Sequence, residues 1–184
     1  MSRSVGSLAS CCATFVMALW AGVAQAGQGP QGPDQGADQG QALAPQISGI
    51  PACFDTNHVV LEINNIQVAY WKTTTPNQFH SRAHVRGPVV RIYNDHAGHN
   101  HMSVQIGSTA DVAIELIYNQ EFGALPEVVV GAEVETCGDY ITSTAQSGTY
   151  PASPDGAIVH WVHRSTRPGH ESGYVAISGV VYGY

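Results

Sequence analysis

The sequence predicts an all-β domain: a small, OB-like closed barrel with an N-terminal hairpin before it and a C-terminal strand pair after it. Three observations lead there. Hydrophobic residues make up 43% of the 184-residue chain and charged ones only 11%, and Val, Ile, Thr, Tyr and Gly recur in short runs, a balance that suits strands over helices. Five such runs follow one another after residue 82, separated by turn residues. The connection between the third and fourth runs is long enough for the insertion that an OB-type barrel carries there.

Residues 1–26 combine a basic start at Arg3, an apolar stretch over 13–23 and an Ala24-Gln25-Ala26 ending, the pattern of a cleavable signal peptide. The apolar stretch falls short of the roughly 20 residues a membrane span requires. Residues 27–48 are rich in Gly, Gln and Pro with almost no bulky apolar side chain. Such a tract cannot offset the entropy of ordering and is expected to be a disordered tether. Residues 49–184 are left for the barrel domain. The chain is therefore expected to be exported, periplasmic or secreted, with no membrane span after cleavage.

Cleavage removes Cys11 and Cys12 and leaves Cys53 and Cys137, which an oxidising compartment favours as a disulfide. It also leaves six basic residues against all fourteen acidic ones, with Lys72 the only lysine. A chain of that balance lacks a nucleic-acid signature, because phosphate binding needs clustered Lys and Arg.

The first expected element is the hairpin, from runs 58–63 and 66–71 around Asn64-Asn65, a pair that tolerates the left-handed backbone of a two-residue turn. A helix over the same stretch is disfavoured by its β-branched content. Barrel strands are expected over 83–94, 99–106, 112–118, 132–141 and 157–163, with residues 120–130 as an irregular link or a single helical turn. On the fourth strand, alternation puts Glu133, Glu135, Cys137 and Asp139 on one face and Val134, Thr136 and Tyr140 on the other. A bond from Cys137 to Cys53 then requires the N-terminal segment to cross the outside of the barrel as a pinned strap.

Histidine is the most informative residue type. Nine occur, all beyond the signal: His58 apart, His80, His84, His96, His99 and His101 in one group, His160, His163 and His170 in another. Imidazole is the commonest metal ligand. His99 and His101 are two apart on a strand and share a face, the alternative being a solvated polar face. His160 and His163, three apart, serve one site only if the strand bends or ends between them. Pro168-Gly169 would then fold His170 back towards His163.

Val159-His160-Trp161-Val162-His163, then Gly169-His170, Gly173-Tyr174 and a closing Ser178-Gly179-Val180-Val181-Tyr182, resemble the end of a family of short exported bacterial proteins, domain-of-unknown-function family 3465. That family tends to show His-Trp-Thr-His, Gly-x-His, Gly-Trp and a terminal strand pair. The likeness extends to residues 87–106, where His101 opens a strand after an Asp- and Gly-containing turn, and to residues 131–139. It covers about 85–184 and implies an OB-like barrel without an established activity. Two departures stand out: Ser165-Thr166-Arg167-Pro168 replaces an Asp-Pro, and Tyr174 replaces a Trp.

These readings give one leading expectation and two alternatives. The leading one is a module binding a transition metal, Zn or Cu, through His101, His160, His163 and His170 with His99 in reserve. The first alternative is a Zn-dependent hydrolase of esters or phosphodiesters on the same histidines, with Arg164 or Arg167 clamping an anion and Asp95 or Glu171 as base. The second is a metal-free barrel that binds a small anionic ligand through Arg164 and Arg167. A blue-copper site is excluded, because no closely spaced His and Met follow Cys137.

Overall fold

The computed structural model describes residues 49–184, so the expected signal peptide and tether lie outside the described residues. Helix α1 (Asn65–Thr74) precedes seven strands: β1 (His80–Ile92), β2 (His99–Gln105), β3 (Ala113–Asn119), β4 (Glu133–Thr142), β5 (Ala157–His160), β6 (Tyr174–Ile177) and β7 (Val180–Tyr182). The link after β3 holds one 3-10 turn, Gln120–Phe122.

Strands β1 to β5 close a barrel in the order β1-β2-β3-β5-β4, with β4 pairing back to β1. Only β3 and β5 run parallel, through Glu115 opposite Ile158 and Leu116 opposite Val159. Closure depends on the 13-residue β1, whose first part pairs with β4 and whose last part pairs with β2, with a register shift between Val89 and Arg91. A shift of this kind bends a strand and increases its twist. Gly87 lies just before it, where a Cβ would stand 1.9 Å from the Gln105 carbonyl oxygen. Only glycine permits that crossing. Beyond β4 the sheet continues through β6 and β7, the expected C-terminal strand pair.

Inward alternation fills the barrel with Val85, Met102, Val104, Ile114, Leu116, Tyr118, Val134, Tyr140, Val159 and Val175. Outside it, Cys53 and Cys137 are bonded and pack with Tyr174 and Ala176 as a second buried cluster, joined by Ile50, Leu61 and Val181. The strap from the N-terminal side thus crosses β4 as its cysteine pattern requires. Arg82, almost fully buried, ties the strap down by donating to the Phe54 and Ser172 carbonyls and to Asp139.

The expected N-terminal hairpin does not form. Residues 58–64 are irregular apart from a bridge between Phe54 and Val60, and Asn65–Thr74 is helical. The asparagines that suggested a turn are engaged with β1 instead. Asn64 Oδ1 accepts from His84 N at 2.9 Å, and Asn65 both accepts from Arg86 N and donates to Arg86 O. Two side chains thereby stand in for a neighbouring strand. The helix that follows buries Val68 and packs Ala69 and Trp71 against the barrel core, and such packing outweighs a weak local propensity.

Candidate histidine face

The outer face of β2, β3 and β5 carries the histidines. On β2, Met102 and Val104 point inward and are buried, which leaves His99 and His101 on the outer side. On β5, Val159 is buried and His160 faces out opposite Asp139. The strand ends there because Trp161 adopts a left-handed backbone at φ 55°, a conformation unfavourable for a bulky residue. The expected strand to residue 163 therefore stops at His160.

Strands β2 and β5 flank β3, and across it His99 becomes the hub of the cluster. Its ring centroid lies 5.6 Å from that of His160 and 6.4 Å from that of His101. His96, from the β1–β2 turn, comes within 6.5 Å of His101. Trp161 then separates this group from the remaining two histidines, with ring centroids 6.0 Å from His160, 5.5 Å from His163 and 5.2 Å from His170. His160, His163 and His170 are thus spread around Trp161, with His101 linked to them through His99, so the four do not converge on one point. Among the described residues, no three His, Cys, Asp or Glu side chains stand ready to hold one metal ion.

Hydrogen bonds orient the rings. His101 Nδ1 donates to Glu115 Oε1 at 2.7 Å, and Glu115 Oε2 accepts from the Ser153 hydroxyl at 2.6 Å. His99 Nδ1 donates to the Ala97 carbonyl at 3.0 Å, His163 Nδ1 to the Arg164 carbonyl at 2.9 Å, and His170 Nε2 to Asp139 Oδ2 at 2.8 Å. A carbonyl or carboxylate against one ring nitrogen places a hydrogen on that nitrogen and orients the ring. His170 Nδ1 is buried without a partner. His160 is held at about 4, first by burial and then by the charges of His99 and His163, with Asp139 opposing. His163 is also pushed down, mainly by burial, and its ring stacks on Phe122 at 3.6 Å. Burial thus favours the neutral form of His160 and His163.

No known protein family, curated protein or solved structure matches this chain.

Several residues of the face stand outside the sequence-derived set. Glu115 carries a readable signal, as a charge in the apolar run Ala113–Asn119, whose outward position directly opposes Ser103. Asp139 was placed on the outer face by alternation, although its partners His170 and Arg82 come from 31 and 57 residues away. His96 and Trp161 belong to the histidine group and the 159–163 motif without an assigned role, and Ser153 has no sequence signal that separates it from ordinary loop residues.

The two arginines of the set lie on the exposed loop after β5. Arg167 stacks over the Trp161 ring at 4.4 Å, whereas Arg164 is exposed and anchored by its backbone to Gly183. Asp95 binds Asn100 and Gln120, and Glu171 pairs with His58. The two groups named as bases are thus occupied in holding loops.

Proposed function

We propose that this protein is an exported, OB-like barrel that binds one transition-metal ion, Zn or Cu, on the outer face of β2 and β5, with His99 as the central ligand between His101 and His160. The observation that carries the reading is the separation of those rings. Two imidazoles bound to one ion through Zn–N or Cu–N bonds of about 2.0–2.1 Å have ring centroids roughly 5 Å apart at a tetrahedral angle and roughly 6.5 Å apart at most, so the His99–His160 pair at 5.6 Å is near that geometry and the His99–His101 pair at 6.4 Å is at its outer limit. The Glu115 bond to His101 supports it further, since metal-bound histidines characteristically donate their other nitrogen to a carboxylate or carbonyl. Ligation draws the three rings together by side-chain rotation, a motion that leaves the strands in place. Membership of the family resembled by residues 85–184 belongs to the same proposal, as does export.

The test is elemental analysis of the untagged chain after loading with Zn or Cu and dialysis. One ion per chain is expected, lost in His99→Ala and retained in His163→Ala. Protein that stays metal-free in both loadings overturns the proposal.

A second reading has its own support. Arg164 and Arg167 have no carboxylate within ion-pair distance among the described residues, and Arg167 is held flat against Trp161. A guanidinium fixed in this way suits an anionic ligand. Under that reading, chelators leave ligand binding unchanged and Arg167→Gln abolishes it.

A further inference from the structure

A groove lies on the outer face of β1, β4 and β6, edged by Ile50 and Pro51 of the N-terminal strap. It encloses about 430 Å3 and is lined by Arg86, Glu133 and Glu135 together with the apolar Ile50, Pro51 and Ala176. That volume is within the range of small-ligand pockets, roughly 300–1,000 Å3.

Its charged groups are arranged unusually. Arg86 and Glu135 are direct cross-strand partners, and Glu133 sits two residues along the same face. Opposite charges in such positions ordinarily pair, yet Arg86 and Glu133 take part in no ion pair among the described residues. Glu135 is already fixed from behind: its Oε1 lies 3.0 Å from His84 Nε2 and accepts from the Tyr174 hydroxyl at 3.0 Å. His84 is anchored in turn by donating from Nδ1 to the Leu61 carbonyl at 2.7 Å. Tyr174 is fully buried. Glu135 is thus a preorganised carboxylate, braced by two buried rings through Oε1, with Oε2 taken up by no hydrogen bond among the described residues and its side chain part of the groove wall.

We propose that this groove binds a small zwitterion of the α-amino acid type, with its ammonium on Glu135 and Glu133, its carboxylate on Arg86 and an apolar side chain against Ile50, Pro51 and Ala176. A carboxylate already held in place loses little conformational freedom when a ligand arrives. The guanidinium offers the planar fork that recognises a carboxylate in two bonds. The presence of both signs of charge beside an apolar wall distinguishes such a ligand from a simple anion or a metal ion.

The test is titration calorimetry of the full chain with L-leucine, N-acetyl-L-leucine and L-leucine amide. Saturable binding of L-leucine is expected, with the acetylated and amidated forms each at least about tenfold weaker, because each leaves one charged wall of the groove unpaired. Glu135→Gln and, on the exposed side where folding is not at stake, Arg86→Gln are each expected to abolish L-leucine binding. His99→Ala retains it, which separates this site from the histidine face. Absence of saturable L-leucine binding, or equal binding of N-acetyl-L-leucine, overturns the proposal.

Discussion

Removing the Cys53–Cys137 bond should change the stability of this domain more than any single side-chain loss. The cross-link closes a stretch of 84 residues. In the chain-entropy description, a loop of that length restricts the unfolded state by about 15 cal/mol/K, or about 4.5 kcal/mol at 25 °C. Spread over the unfolding entropy of the 49–184 domain, taken as about 2.1 cal/mol/K per residue, this corresponds to a fall in Tm of about 15 °C. The double variant Cys53→Ala/Cys137→Ala also thins the outer cluster with Tyr174 and Ala176, where Cys53 and Cys137 are 1% and 0% exposed, so packing loss adds to the fall. Scanning calorimetry of the wild type and the double variant measures it directly. If the two melt within about 3 °C of each other, far inside the expected shift, the bond is not what pins the strap to β4, and Arg82 with its carbonyl and carboxylate contacts is sufficient alone.

Three further outcomes follow from the histidine face and its supports. His160 is neutral in the fold at about 4 against 6.5 in the open chain, so the unfolded state takes up the proton first as pH falls. Stability is complete above pH 6.5, declines towards pH 4 and levels off below it, a loss of about 3 kcal/mol. Urea melts of metal-free protein should show this decline in the wild type and a flatter profile in His160→Phe; equal profiles contradict the assignment. Glu115→Gln should weaken Zn or Cu binding by about 10- to 100-fold through loss of the His101 orienter, as measured by competition with a chromophoric chelator, while the far-UV spectrum is unchanged. Gly173→Ala places a Cβ 2.3 Å from both the Cys137 and Trp161 carbonyl oxygens, and should destabilise the domain by about 3 kcal/mol in denaturant melts; a neutral effect would mean that the turn before β6 is free to shift.

Local pattern made the barrel readable. Strands report their faces with a period of two, so the alternation in residues 133–142 correctly separated Val134, Thr136 and Tyr140 from Glu135 and Asp139. The same alternation put Cys137 outside and, with the compartment argument, anticipated both its bond to Cys53 and the strap. The helix at Asn65–Thr74 was not readable, because its reason is distant: Asn64 and Asn65 spend their amides on the backbone of β1, and Val68 is buried only once a barrel exists to receive it. A turn and a strand mimic use the same residue type.

The sequence by itself determined that this chain makes strands, which side chains those strands turn inward, and that imidazoles gather near residues 99 and 160. It could not rank those imidazoles. His99 became the hub and His163 a stacked neighbour of Phe122 only when β3 took β5 as its parallel partner, bringing two outer faces together across one strand. Pairing of strands that are remote in the chain is decided by the packing of the whole barrel, and short-range pattern carries no record of it.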